Sequence, residues 1–367
     1  MPSRASMSVL FINDKCRMSN DEGRLNAPAF AKLQPDRQMT KSPSSLVIRA
    51  WSFFGNILGM KLIEVPAPGF DLAMTLDSGQ VFHWEESGGG FVGAIADIAV
   101  YVEQRRNVLK VRGREMPAKS SRRQPLSTMV AHYFGLDHPL AEICASFPND
   151  PIMIAARNFC RGLRIIRQPK WECLATFICS SMKQVAHIRQ ISKALREEFG
   201  IARKAFPERG RTIDNYVVHT FPSAARLAKS SERELRKCAL GYRAKNLLAT
   251  ARLVSSGTAD LEAWSSLSDA NLRANLCNLP GVGAKVANCV MLFAYERLRA
   301  FPIDVWIERV LRQQYFPRNK RIATGQLRTF SENYFGEHGG YAQQYLFHHA
   351  RMNKNAKSRA RTAAAGK

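Results

Sequence analysis

The most informative segment of this sequence is Leu279-Pro280-Gly281-Val282-Gly283-Ala284-Lys285-Val286-Ala287-Asn288-Cys289. One helical pattern ends just before this stretch, and another begins directly after the second glycine. The two glycines allow a tight turn and the close approach of a ligand. The free N–H groups and the positive end of the second helix then form an anion site that suits a DNA phosphate. A plain turn between two packed helices explains the Gly-x-Gly pattern equally well.

Two acid–base residues near this turn carry more information. Lys285 lies in the first turn of the second helix, where the helix dipole disfavours a cation. The positive helix end favours the uncharged amine, which is the nucleophilic form. Further along, Asp304 directly precedes a new helical pattern. Taken alone, Asp304 is best interpreted as an N-cap, the commonest role of Asp at such a position.

The composition indicates a polyanionic partner. The 367 residues include 54 Lys or Arg and 30 Asp or Glu, which leaves a formal net charge of +24. Hydrophobic residues make up 46% of the chain, so a large core is possible and a wholly disordered or fibrous protein is excluded. The charge points to nucleic acid or an anionic membrane surface. The sequence has no apolar run long enough to span a membrane and no secretory signal.

The cysteine pattern argues against a metal cluster. The eight cysteines are scattered through apolar helical patterns, which is typical of reduced thiols. No pair has the two-residue spacing of zinc or iron–sulfur sites, and no cysteine follows Cys289. We therefore expect no metal site.

The hydrophobic periodicity predicts an α+β fold in four segments. Residues 1–59 show no lasting period and are expected to form a poorly ordered extension. Residues 60–150 are predicted to form an antiparallel β-sheet domain with a linking helix, and the alternation over residues 70–76 predicts an early strand. Residues 151–350 carry helical periods, and residues 351–367 are expected to form a basic, disordered tail.

The hairpin, Lys285 and Asp304 together resemble the helix-hairpin-helix DNA glycosylases, which end this motif in a Gly/Pro-rich loop and an Asp. The bifunctional branch of that superfamily has a Lys at the position of Lys285. The absence of a cysteine after Asp304 separates the chain from the branches that carry an iron–sulfur loop.

Further motifs make the resemblance specific to the 8-oxoguanine DNA glycosylases, over residues 62–350. They are Asp77-Ser78-Gly79-Gln80-Val81-Phe82-His83-Trp84, Phe177-Ile178-Cys179-Ser180-Ser181, Leu240-Gly241-Tyr242-Arg243-Ala244, and Tyr341-Ala342-Gln343 with Leu346-Phe347. The resemblance implies an N-terminal antiparallel β-sheet domain followed by a mainly α-helical glycosylase region.

The resemblance also implies a bifunctional DNA glycosylase and abasic-site lyase of base excision repair. Lys285 would displace 8-oxoguanine from C1′ of duplex DNA and form a Schiff base, from which β-elimination cleaves the strand. Asp304 would stabilise the charge that develops on the sugar. Neither step requires a metal or an organic cofactor, so no cofactor is expected.

Five residues are assigned to the flipped base. The resemblance implies that Cys289 and Phe347 cover its two faces and that Gln343 bonds its Watson–Crick edge. The carbonyl of Gly79 would accept the N7 hydrogen that 8-oxoguanine has and guanine lacks. Phe293 shares a helix face with Cys289, although ordinary core packing explains Phe293 as well.

Seven residues are assigned to DNA contact: Gly281, Val282, Gly283, Met182, His187, Tyr242 and Arg243. Met182 lies where eukaryotic members have an Asn-rich run, and a flexible apolar side chain can fill a gap in the base stack. His187 lies where those members have an Arg directed at the opposite cytosine. These two departures predict a relaxed preference for cytosine opposite the lesion.

Two other functions remain open at this point. An alkylated-base glycosylase on the same scaffold relies on the Asp alone, which leaves Lys285 and the Gly79 motif unexplained. A non-catalytic helix-hairpin-helix DNA-binding protein explains the charge and the hairpin, but not Lys285, Asp304 or Gln343. The expected partner is double-stranded DNA containing oxidised guanine, bound by a monomer without membrane association. The expected location is the bacterial cytoplasm, at the nucleoid, or a eukaryotic nucleus.

Overall fold

The computed structural model describes residues 62–113, 124–204, 217–319 and 321–365. The extension predicted over residues 1–59 lies outside these residues. Within them, five antiparallel strands come first and helices follow, as the sequence predicts. The α+β class is therefore confirmed.

The five-stranded sheet has the order β1-β5-β4-β3-β2. Its strands are β1 (Ile63–Pro66), β2 (Glu85–Ser87), β3 (Gly90–Ile95), β4 (Ile98–Arg105) and β5 (Val108–Gly113). Strand β1 pairs with β5, with Ile63 opposite Val111. The first and last of the five strands along the chain are therefore neighbours in the sheet. A separate ribbon pairs β6 (Ala202–Lys204) with β7 (Val217–His219).

The strand predicted over residues 70–76 is wrong, because this segment contains helix α1 (Leu72–Asp77). The Asp71 carboxylate caps this helix and accepts a hydrogen bond of 2.8 Å from the Met74 N–H. The buried residues Leu72, Thr75 and Leu76 then lie on one helix face. The apolar alternation suggested a strand, but the N-cap and the three-to-four spacing of the buried residues favour the helix.

The helical region follows the sheet. Seven of its helices are α2 (Leu126–Tyr133), α3 (Leu140–Ala145), α4 (Pro151–Phe159), α7 (Ala224–Ala228), α8 (Glu232–Leu235), α12 (Val305–Val310) and α13 (Thr324–Tyr334). The helices that position the candidate site are α5 (Lys170–Ser180), α6 (Val185–Phe199), α9 (Arg243–Ser255), α10 (Asp269–Cys277), α11 (Ala284–Ala294) and α14 (Gly339–Ala365).

Two large hydrophobic clusters hold these parts together. One is built from the sheet with α1 and α2 and includes Val100, Val111 and Phe134, all fully buried. The other is helical and contains the buried faces of α5, α9, α11 and α14. The helical cluster contains Cys289 and Phe293, and Phe347 packs against it.

The disordered tail expected from residue 351 is replaced by a continuation of helix α14 to Ala365. The Arg351 side chain is only 10% exposed and forms an ion pair of 2.9 Å with Asp77. This pair ties the first residue of the basic segment to Asp77 at the end of α1.

Candidate active site

The helix-hairpin-helix turn is shaped by its first glycine. Gly281 has a φ of +81°, and a Cβ there would lie 2.8 Å from the Asn246 Cβ. The turn is also tied to α9, because the Pro280 carbonyl accepts a 2.9 Å hydrogen bond from Thr250 Oγ1. Helix α11 then begins at Ala284, and its N-cap residue, Gly283, has no side chain to cap it. Its first N–H groups therefore remain available to an anion.

The three hairpin residues assigned to DNA contact differ in exposure. Gly283 is exposed with open space around it, whereas Val282 is buried at 7% exposure. Only the backbone of the turn can therefore meet a phosphate, and Val282 anchors the turn from below.

Lys285 is half-buried and its amine is held by the end of helix α5. Its Nζ donates a 3.1 Å hydrogen bond to Ser180 Oγ and lies 5.0 Å from the centre of the Phe177 ring. Ser180 Oγ donates its own hydrogen to the Phe177 carbonyl at 2.8 Å. Because that hydrogen is committed, Ser180 can only accept from Nζ, and this fixes the direction of the amine. Ser180 is a functional residue that the sequence does not reveal, and the one signal for it is a polar residue at the end of the apolar helix 170–180.

Asp304 is both an N-cap and a neighbour of Lys285. Its Oδ1 accepts a 2.8 Å hydrogen bond from the Ile307 N–H at the start of α12. Burial raises the pKa of the Asp304 carboxyl, while the Ile307 N–H and the charge of Lys285 act in the opposite direction. The hydrogen bond to Ile307 fixes the Asp304 carboxylate. Because this carboxylate interacts with Lys285, the two predicted catalytic residues lie in one site.

The two other α11 residues have different surroundings. Cys289 interacts with Lys285, and burial raises the pKa of its thiol to about 11, so the thiol is neutral at pH 7. Phe293 is 3% exposed and stacks on Phe177 at 5.5 Å between ring centres. The structure therefore places Phe293 in the core behind Phe177, which is the packing role that the sequence left open.

Gly79 lies against helix α14, which carries Gln343 and Phe347. Gly79 has a φ of +84°, and a Cβ there would lie 3.1 Å from Phe347 Cε1. Gln343 lies one turn before Phe347 on α14 and is 4% exposed. Its Oε1 is buried and has no hydrogen-bond partner among the described residues. A buried amide oxygen without a donor is costly, so this position suits a ligand that brings the donor.

The 181–184 loop between α5 and α6 projects an apolar side chain outward. Met182 is 89% exposed and has a φ of +57°, an unusual conformation for a residue with a side chain. His187 is also exposed, on the first turns of α6. Exposure of this kind suits contact with a partner.

Arg243 supports this loop from within. It is 5% exposed, and its Nε donates a 2.8 Å hydrogen bond to the Ser181 carbonyl, which also accepts from Nη2. Its guanidinium lies 4.4 Å from the centre of the Tyr242 ring, and Tyr242 is 59% exposed. Tyr242 is therefore available for DNA, whereas the DNA contact assigned to Arg243 gives way to a role in fixing the loop.

Within the described residues, no group of His, Cys, Asp and Glu side chains is arranged to hold a metal ion. None of the described helices is long and apolar enough to cross a membrane.

Family models match the two halves of the described chain. Residues 62–174 match the N-terminal domain of 8-oxoguanine DNA glycosylase, and residues 175–333 match the HhH-GPD superfamily of base excision DNA repair proteins. The N-glycosylase/DNA lyase OGG1 of Arabidopsis thaliana is 30% identical over 287 residues, which span 75% of this chain and 76% of the relative.

Solved structures agree with this match. MBOgg1 in complex with a low-affinity DNA ligand is 29% identical with a TM-score of 0.71, covering 81% of this chain and 99% of that one. The 8-oxoguanine glycosylase/lyase of Clostridium acetobutylicum, in complex with duplex DNA containing cytosine opposite 8-oxoguanine, is 26% identical with a TM-score of 0.70. That match covers 80% of this chain and 98% of the other. With its Lys–Asp pair at a helix-hairpin-helix and these matches along its length, the chain belongs to the 8-oxoguanine DNA glycosylase family of N-glycosylase/DNA lyases.

Proposed function

We propose that this chain is a bifunctional DNA glycosylase and abasic-site lyase that excises 8-oxoguanine from duplex DNA. The observation that carries the proposal is the half-buried amine of Lys285, which Ser180 orients. This amine is close enough to Asp304 for its charge to lower the Asp304 pKa, against the effect of burial. An alkylated-base glycosylase or a purely DNA-binding protein has no use for an amine held in this way.

Lys285 and Asp304 divide the chemistry between them. The free amine of Lys285 attacks C1′ as the bond from C1′ to the base breaks, and the base leaves with the bonding electrons. The ionised Asp304 stabilises the positive charge that develops on the sugar. A proton then passes from nitrogen to the ring oxygen O4′, and the C1′–O4′ bond breaks to give a protonated Schiff base and a 4′ hydroxyl. The protonated Schiff base acidifies the hydrogen at C2′. Removal of that hydrogen expels the 3′ phosphate and cleaves the strand.

Lesion recognition rests on the groups around Gly79. The Gly79 carbonyl accepts the N7 hydrogen of 8-oxoguanine, whereas guanine would place its N7 acceptor against that carbonyl. The base edge supplies the donor that the Gln343 Oε1 atom lacks. Phe347 and the neutral Cys289 thiol cover the two faces of the base, which avoids a charge against either face.

DNA binding uses the net charge and the exposed groups above the site. The formal charge of +24 attracts the phosphate backbone, and the N–H groups at the start of α11 bind one phosphate. Met182 enters the stack that the flipped base vacates, flanked by His187 and Tyr242. We place the protein with chromosomal DNA, in the nucleoid of a bacterium or the nucleus of a eukaryote.

Borohydride trapping on a duplex that bears 8-oxoguanine tests the proposal. The wild-type chain should give a covalent DNA adduct, because borohydride reduces the Schiff base. Lys285→Gln should give none, and Lys170→Gln, which changes a lysine paired with Glu262 away from the site, should trap as well as wild type. No adduct with the wild-type chain, or an undiminished adduct with Lys285→Gln, contradicts the proposal.

A further inference from the structure

The turn over residues 77–80 is held by hydrogen bonds to almost every carbonyl along it. The Asp77 carbonyl accepts from Arg351 Nη2, the Ser78 carbonyl accepts from Gln344 Nε2 at 2.8 Å, and the Gln80 carbonyl accepts from Gln168 Nε2 at 2.8 Å. Among the described residues, no donor reaches the carbonyl of Gly79. The turn therefore presents one free acceptor between occupied ones.

The carboxylate of Asp77 is the charged part of this arrangement. Its Oδ2 lies 2.9 Å from Arg351 Nη2 on α14, and its Oδ1 accepts a 2.8 Å hydrogen bond from Arg189 Nη2 on α6. The Arg351 side chain is 10% exposed, whereas Asp77 and Arg189 are each 45% exposed. One guanidinium is thus fixed in the interior, and the other lies at the surface.

The two arginines belong to elements with different tasks. Arg351 lies on α14, the helix that carries Gln343 and Phe347. Arg189 lies on α6, the helix that begins at the end of the 181–184 loop. Asp77 therefore connects the turn that carries the free Gly79 carbonyl to two helices, α14 and α6.

We propose that Asp77, paired with Arg351 and Arg189, is a positioning residue that sets the Gly79 carbonyl for recognition of an oxidised purine. This inference rests on the proposed function, since it assigns the geometry of the same site. Asp77 does not touch the base or the sugar. Its carboxylate fixes the direction of a backbone carbonyl, and a small displacement of an acceptor is enough to weaken a hydrogen bond.

The direct test compares two reactions of one enzyme. Base excision from an 8-oxoguanine duplex needs the Gly79 carbonyl, whereas cleavage at a preformed abasic site has no base to recognise. In single-turnover measurements at saturating enzyme, Asp77→Asn should lower the excision rate roughly 10- to 100-fold. Abasic-site cleavage should stay within about twofold of wild type, because Lys285 and Asp304 are unaffected.

Two further variants separate positioning from folding. Glu262→Gln removes a carboxylate paired with Lys170 at the surface and should leave both rates unchanged. Arg189→Gln removes the exposed partner of Asp77 and should lower excision less than Asp77→Asn does. The double variant should be no slower than Asp77→Asn, because both changes act on one interaction.

The outcomes separate a failure of the positioning role of Asp77 from a failure of the proposed glycosylase and lyase function. A wild-type chain without excision or trapping contradicts the proposed function. Wild-type activity with an unchanged ratio of the two rates in Asp77→Asn overturns the positioning role alone. A parallel fall of both rates in Asp77→Asn also overturns it, since that result indicates general loss of structure.

Discussion

The proposed site has a reaction side around Lys285 and a recognition side around Gly79, and the two are built differently. On the reaction side, the Lys285 amine is held by one hydrogen bond to Ser180 and by the face of Phe177. On the recognition side, the 77–80 turn has three carbonyls that accept hydrogen bonds from three side chains, two on α14 and one just before α5. The nucleophile must change its protonation and bonding during the reaction, whereas the acceptor must keep one position. Loose support on one side and dense support on the other match these tasks.

The sharpest way to break the reaction side is Asp304→Asn, which keeps the cap geometry and removes the charge. Excision should fall on the order of a thousandfold, because an electrostatic group that faces the developing charge is lost. Single-turnover kinetics on an 8-oxoguanine duplex measure this change. A loss of only a few-fold means that the carboxylate serves the helix rather than the reaction.

The pH dependence follows from the same residue. Burial raises the Asp304 pKa above its ordinary value, and the reaction needs the ionised form. Activity should therefore be present above this raised pKa and lost as the pH falls through it, so the acid limb lies at a higher pH than for an exposed Asp. In Asp304→Asn the remaining activity should show no such limb.

Gly79→Ala should break the recognition side while sparing the reaction side. The φ of +84° is strained for alanine, and its Cβ would press on Phe347 Cε1. We expect a roughly 100-fold loss of excision with near-normal cleavage at a preformed abasic site. Gly325→Ala is the control, because a Cβ there meets nothing within 4 Å and the residue lies in helix α13, away from the site. Equal losses of excision and abasic-site cleavage in Gly79→Ala would contradict the division into a reaction side and a recognition side.

Ser180→Ala should affect both reactions alike, and less strongly. It removes the acceptor of the Lys285 amine, which corresponds to about a tenfold loss of rate. Ser266→Ala removes a hydroxyl with the same bond to the carbonyl three residues earlier, but far from any predicted role. Rates are measured on an 8-oxoguanine duplex and on an abasic duplex. Selective loss on one substrate would show that Ser180 does not act through the amine.

The smallest effect is expected for the 181–184 loop. Met182→Ala should lower excision about three- to tenfold on duplex DNA, because a smaller side chain fills the vacated stack less well. Ile201→Ala, a change at another exposed apolar residue, should have no effect. Because a methionine cannot bond cytosine as asparagine does, excision opposite the four bases should differ by less than about threefold in the wild-type chain. Strong selectivity for cytosine would contradict this expectation.

Local sequence signals predicted the parts of the fold that depend on near neighbours. The alternation that forms β3 to β5 and the Gly-x-Gly turn before Lys285 were both legible in the sequence, because each is decided within a few residues. The strand predicted over residues 70–76 is wrong because the apolar residues there fit the spacing of a helix as well as that of a strand. The N-cap formed by Asp71 favours the helix.

Contacts between distant residues could not be predicted in the same way. Arg243 matched a motif suited to DNA contact, but its guanidinium bonds the Ser181 carbonyl, 62 residues earlier in the chain. Arg351 looked like the start of a disordered basic tail, but it pairs with Asp77, 274 residues earlier. In both cases the sequence shows an arginine, but its partner is far away along the chain and is brought close only by folding.

The neutral thiol of Cys289 has a consequence for the conditions in which such an enzyme works. Hydrogen peroxide and related oxidants attack thiolates far faster than thiols, and a pKa of about 11 leaves little thiolate near neutrality. The buried Cys179, with a pKa of about 12, is protected in the same way. Cys289, which the proposed function places against the flipped base, is therefore a sulfur that resists the agents producing the damage.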